Sequence, residues 1–163
     1  MAIKLIAMDV DGVLTDGSFW WGPNGEEWKR FHFADIMGLS RARKAGLRLA
    51  LISGEDSPLI DRLAAKMQIT DVHKNCKDKA GALRSLAELH GLSLAEVCFM
   101  GDDINDVPAL EIVGLAAAPA DAQPCVRAKC HFITTAGGGQ GAVRELIEMV
   151  LSEAAPRAAV GKG

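Results

Sequence analysis

No apolar run in the 163 residues approaches the roughly 18 needed to span a bilayer, so no membrane-spanning helix is expected. A secretory leader is not expected either. The opening MAIKLIAMDVDG meets its first acid at Asp9, too early for the apolar core of a signal sequence, and a cytoplasmic protein is expected. Positive charge is not in excess. Eighteen Lys and Arg stand against 21 Asp and Glu, a net charge of −3 that lacks the footprint of a nucleic-acid partner. The four cysteines (Cys76, Cys98, Cys125, Cys130) form no CxxC pair. Cys125 and Cys130 lack the second Cys/His pair of a zinc site, so reduced thiols are expected. No internal repeat is visible. What is present is an ordinary globular balance, 49% apolar and 24% charged, on a chain long enough to bury a core in one domain.

Short apolar runs alternate with helical ones. Residues 3–8, 47–53, 71–73, 97–100, 113–118 and 131–134 read as strands, and 35–45, 58–68, 79–90, 105–113 and 141–152 as helices. Pro58 after Ser57 suits a helix's first turn, and Gly46 and Gly91 sit where helices should stop. Such alternation predicts an α/β fold, a Rossmann-like doubly wound and mainly parallel sheet covered on both faces. Residues 16–33, DGSFWWGPNGEEWKRFHF, break the rhythm. Aromatics flanking GPNG predict an inserted β-hairpin turning at Asn24-Gly25. Its Trp20, Trp21 and Trp28 require cover from substrate or another subunit if the tip is exposed. A single domain is expected over 1–152, with 153–163 a flexible tail that lacks apolar periodicity.

The stretch AMDVDGVLTDG carries Asp9, Asp11 and Asp16 directly after an apolar run. On an extended backbone, residues two apart face the same side, so Asp9 and Asp11 both reach the strand's carboxyl end, where open parallel sheets bind ligands. Another apolar run ends in GDDIND, supplying Asp102, Asp103 and Asp106. Two acid-ended strands lying side by side would form an oxygen-rich site suited to Mg2+. Ser53-Gly54 ends the second strand ahead of a helix, with a hydroxyl and N–H groups suited to a phosphate. Lys79 opens a helix, where the dipole does not favour a cation but an acidic neighbourhood would.

DVDGVLTD, LISG, Lys79 and GDDIND, in this order, resemble the four motifs of the haloacid dehalogenase superfamily, and the resemblance runs to about residue 151. It implies that Asp9 is a nucleophile forming an aspartyl-phosphate and that Asp11 is the general acid and base. Asp9, the main-chain carbonyl of Asp11 and Asp102 would hold Mg2+. Ser53, Gly54 and Lys79 would bind the phosphoryl group, Asp106 would orient Lys79 or the metal's waters, and Asp103 would support. Receiver-like phospho-binding modules and non-catalytic relatives are the alternative of another class. The former carry their acceptor on a later strand, and the latter are expected to lose an acid or lysine that this chain keeps.

Neither gap between motifs is long enough for a cap domain. With DxDGVLTDG, FHFADIMGL, VGLAAAPADA and GGxGAVRE, this resembles the family's small capless sugar-acid phosphatases. That resemblance implies a homotetramer whose sites are covered by neighbouring subunits, through the hairpin or the glycine-rich segment 136–145. The octulosonate 8-phosphate members typically carry Arg where this chain has Glu55 and Gln140, and Glu cannot replace an Arg clamp on a carboxylate. Glu55 with Lys66 resembles the nonulosonate 9-phosphate members instead. A nonulosonate 9-phosphate is therefore the expected substrate, with 3-deoxy-D-manno-octulosonate 8-phosphate the alternative, and Arg43, Arg62 or Arg144 left to bind the substrate carboxylate.

Overall fold

The structure is a computed structural model that describes residues 2–154; the expected tail beyond 154 lies outside the described residues. Chain order is β1 (Leu5–Met8), β2 (Trp20–Trp21), β3 (Glu27–Trp28), α1 (Phe33–Lys44), β4 (Arg48–Ile52), α2 (Pro58–Met67) and β5 (Asp71–His73). There follow α3 (Lys79–Leu89), β6 (Val97–Met100), α4 (Val107–Leu110), β7 (Leu115–Ala118), α5 (Pro124–Arg127), β8 (Phe132–Ile133) and α6 (Ala142–Ala154). Six strands form one parallel sheet in the order β5-β4-β1-β6-β7-β8. In the central strand β1, Ile6 and Met8 pack with α1, α2 and α6, while Leu5 and Ala7 pack with α3, α4 and α5. Burial on both faces explains why the run is apolar throughout rather than alternating. Among the described residues no helix is long and apolar enough to cross a membrane.

Local chemistry accounts for most boundaries. Ser57 accepts a hydrogen bond from the Leu59 N–H and Pro58 occupies the first turn of α2. Asp78 accepts from the Gly81 N–H and starts α3 at Lys79. The helix expected over 105–113 is shorter, a 3-10 turn at Ile104–Asp106 running into α4. Asp103 caps that turn through the Ile104 N–H. Helix α5 was not expected, because a four-residue element is too short to show a period. Helix α6 extends through Ala154, past the expected boundary at 152.

The hairpin exists, pairing Trp20 with Trp28 and Trp21 with Glu27. Its turn differs from the expected one at Asn24-Gly25. The Gly25 N–H reaches the Gly22 carbonyl, and of the two only Gly25 has positive φ (+86°). A two-residue type I′ turn centred on Asn24-Gly25 would need positive φ at both residues, whereas Pro23 favours a turn with Pro23-Asn24 at its centre and Gly25 as the left-handed residue closing it.

Candidate active site

Strands β1 and β6 are neighbours, with Met8 opposite Met100 and the Asp9 N–H donating to the Met100 carbonyl at 3.0 Å. The two acid-bearing loops therefore leave the same edge of the sheet side by side. Carboxylate oxygens of Asp9, Asp102 and Asp106 lie within 4.8 Å of one another. Gly12 is what permits this closeness. Its φ is +84°, and a Cβ there would stand 1.9 Å from Asp102 Oδ2.

Lys79 reaches in from the first turn of α3 and is buried, its Nζ 2.9 Å from Asp9 Oδ2 and 2.6 Å from Asp106 Oδ1. Asp106 is completely buried, and its Oδ2 accepts the N–H groups of Asp102 (2.9 Å) and Asp103 (3.2 Å). Both of its oxygens are thus committed, and it orients Lys79 and the 102–103 backbone. Asp9 Oδ1 accepts from the Val10 N–H at 2.7 Å. Ser53 is buried at the end of β4, its N–H on the His73 carbonyl and its Oγ accepting from the Glu55 N–H. The helix that follows begins only at Pro58, so Ser53-Gly54 belongs to an intervening loop rather than to the first turn of α2.

These groups surround a cleft of about 210 Å3 lined by Asp9, Asp11, Ser53, Glu55, Asp102 and Asn105, with Gly17, Phe19, Gly54 and Asp103 completing the wall. Three clustered carboxylates face a single ammonium. Burial, then Asp106, push Asp9 up to about 7 despite Lys79, and burial, then Asp9 and Asp106, push Asp102 up to about 8. Asp11 Oδ2 is buried with no hydrogen-bond partner among the described residues. A hard dication fits this donor set, since it would offset the uncompensated negative charge and accept oxygen ligands.

The specificity candidates separate. Glu55 lines the cleft, whereas Lys66 lies in a second hollow of about 490 Å3 with Trp28, Arg62 and other residues of α1, α2 and the hairpin. Gln140 lies on the glycine-rich loop, its N–H on the Gly137 carbonyl. That loop docks on its own chain: the Gly139 N–H donates to the Val13 carbonyl and the Gly138 N–H to Asp121. Arg43 faces the opposite end of the sheet beside Arg48 and Gln68, too far round to serve this cleft, and Arg144 pairs with Glu148.

Sequence reasoning missed Lys29. Its side chain is 1% exposed, and its Nζ lies 2.7 Å from Asp11 Oδ1 and 3.2 Å from Glu27. Nothing local announces this, because 18 residues and a hairpin separate Lys29 from Asp11. It also missed Thr15, whose buried Oγ1 accepts the Gly12 and Gly17 N–H groups and shapes the turn after β1.

Residues 53–146 match the haloacid dehalogenase-like hydrolase family. The chain is 37% identical over 149 residues to the 3-deoxy-D-manno-octulosonate 8-phosphate phosphatase KdsC of Escherichia coli, covering 91% of this chain and 79% of that protein. The corresponding phosphatase of Moraxella catarrhalis, solved with magnesium, phosphate and KDO, superposes with a TM-score of 0.90 at 37% identity, covering 92% of this chain and 86% of that one. The cobalt-bound phosphatase of Haemophilus influenzae gives 0.89 at 35% identity over 92% and 88% of the two chains. With the acids, lysine and serine of the four motifs converging on one cleft, and relatives of this identity along nine-tenths of its length, the chain belongs to the haloacid dehalogenase-like hydrolases, as an enzyme of their phosphatase branch.

Proposed function

We propose that this enzyme is a Mg2+-dependent phosphomonoesterase for 3-deoxy-D-manno-octulosonate 8-phosphate. The observation that carries the chemistry is Asp9 at the mouth of β1, held by buried Lys79 and facing Asp102. In this reading an Asp9 carboxylate oxygen attacks phosphorus as the ester P–O bond breaks. The proton on Asp11 passes to the departing alkoxide. Asp11 then takes a proton from water, whose oxygen attacks the aspartyl-phosphate and releases inorganic phosphate. Asp9, Asp102 and the Asp11 carbonyl would hold the metal, which supplies charge neutralisation for the phosphoryl oxygens. Ser53, the Gly54 loop and Lys79 bind that group, Asp106 fixes Lys79, and Asp103 holds the turn.

The relatives support the octulosonate ester over the expected nonulosonate, since the phosphatases of Escherichia coli, Moraxella catarrhalis and Haemophilus influenzae act, by name, on the octulosonate ester. One observation keeps a nonulosonate 9-phosphate as a second reading: Glu55, rather than an arginine, lines the cleft. A Glu55–Lys66 pair within one chain does not support it, because the two line different hollows. The same reading makes the protein a cytoplasmic homotetramer, its sites covered by neighbours. The exposed Phe19, Trp20, Trp21, Trp28 and Phe33 around the hairpin support such cover. The glycine-rich loop, docked on its own chain, is the weaker candidate for that cover.

The deciding experiment measures phosphate release with Mg2+ from 3-deoxy-D-manno-octulosonate 8-phosphate, 2-keto-3-deoxynononate 9-phosphate and N-acetylneuraminate 9-phosphate, compared by kcat/KM. The octulosonate ester should be the best substrate, EDTA should stop release, and Asp9→Asn should lower turnover by roughly 10^4-fold or more with the fold intact. Substantial activity in Asp9→Asn would mean that another acid is the nucleophile.

A further inference from the structure

Beyond the four motifs, the geometry points to Lys29, carried on the hairpin, as the residue that positions Asp11 for proton transfer. This proposal rests on the reading of Asp11 as general acid and base.

Asp11 lies in the cleft beside Asp9 but is not held by Lys79. Lys79 contacts Asp9 and Asp106, and Asp11 Oδ1 instead meets Lys29 Nζ at 2.7 Å. The second oxygen, Oδ2, is buried and accepts no hydrogen bond among the described residues, while Asp11 lines the cleft beside Asp9. One oxygen is therefore clamped and the other left for a proton and a leaving group. The clamp is itself anchored. Glu27 on β3 lies 3.2 Å from Lys29 Nζ and accepts from Trp21 Nε1 of β2 at 3.3 Å, and the Phe19 ring stands 5.1 Å from the same ammonium. Burial opposes the Lys29 charge, but Asp11 and Glu27 outweigh it and hold the ammonium above its ordinary value. A lysine buried on a two-stranded hairpin is costly unless paired. Here both partners are supplied, one by the hairpin and one by the active-site loop. The hairpin thus acts as a brace for the catalytic loop as well as a surface feature.

Positioning of the acid has a signature that a merely structural anchor lacks. Protonation assists departure of a sugar alkoxide strongly and departure of p-nitrophenolate hardly at all. The value of kcat/KM reports the step that phosphorylates Asp9, in which Asp11 gives up its proton. Lys29→Met should lower kcat/KM by about 100-fold for the sugar-acid phosphate hydrolysed fastest among the three above, and by less than about threefold for p-nitrophenyl phosphate. Asp11→Asn should show the same dependence, more strongly. Mg2+ affinity of Lys29→Met, measured by calorimetry, should stay close to that of the parent.

Equal losses on both substrates by folded Lys29→Met, or no loss on either, would overturn the proposal. If Asp11→Asn itself shows no leaving-group dependence, the reading of Asp11 fails and the proposal fails with it; dependence in Asp11→Asn alone refutes the role of Lys29 only. Should Lys29→Met not fold, Glu27→Gln decides. It keeps the Lys29–Asp11 contact but loosens its anchor, so a smaller loss confined to the sugar ester supports the proposal, and a loss without that selectivity, or none, overturns it.

Discussion

Lys79 shows how one residue joins stability to chemistry. It is the ammonium between Asp9 and Asp106, all three being buried. Replacing one partner of a buried ion pair leaves uncompensated charge, so Lys79→Met should destabilise the protein by about 3–5 kcal/mol, read by urea denaturation in EDTA. Saturating Mg2+ should recover part of that loss, because Asp9 and Asp102 remain to bind it. The role of Lys79 could be anticipated from its place at a helix start in a chain with two acidic strand ends. That of Lys29 could not, since an isolated lysine in a hairpin reads as surface charge until folding places it on Asp11. Asp106 was legible as a supporting acid. That it serves Lys79 follows from both of its oxygens being already engaged.

Elements carry the site by where they end. Strands β1, β4 and β6 deliver Asp9, Ser53 and Asp102 to one edge because all three are parallel and adjacent. Helix α6 is fastened from outside: buried Asp35 of α1 accepts the N–H groups of Gly141 (3.3 Å) and Arg144 (2.9 Å). Asp35→Ala should therefore cost about 1–2 kcal/mol in unfolding free energy, the size of a lost helix cap, measured by urea denaturation. The hairpin presents Trp20, Trp21 and Trp28 to solvent, each more than half exposed. Light scattering of the parent should give a tetramer, and Trp20→Ser with Trp28→Ser should shift it to smaller species. A monomeric, fully active parent would refute the proposed cover. The strand and long-helix assignments were readable from apolar runs and caps. The turn at Pro23-Asn24 and the short α5 were not, because the former depends on a choice among turn types and the latter is shorter than any period.

At the scale of the molecule, the cleft concentrates negative charge that folding alone does not offset. Asp9 and Asp102 titrate near 7 and 8 in the folded chain, against an ordinary 3.8. Both are raised, so their contribution to stability is fully present below about pH 4 and is lost as pH rises through 7 to 8. In EDTA, the denaturation midpoint should be higher at about pH 5.5 than at about pH 8.5. Mg2+ competes with those protons, and its stabilisation should grow with pH, reaching about 2.7 kcal/mol at a hundred times its dissociation constant. A midpoint that rises with pH in EDTA would contradict this account of the acids. The amino-acid order by itself determined the doubly wound parallel fold, the four motifs and the family, because apolar period, helix caps and motif residues are local and survive as text. Only the tertiary structure decided that Lys29 holds Asp11, that Lys66 and Glu55 stand apart, and that the glycine-rich loop closes on its own chain. The contacts join residues distant in sequence, while Glu55 and Lys66 line different hollows although only eleven positions separate them; which groups meet is set by sheet order and loop packing rather than by spacing.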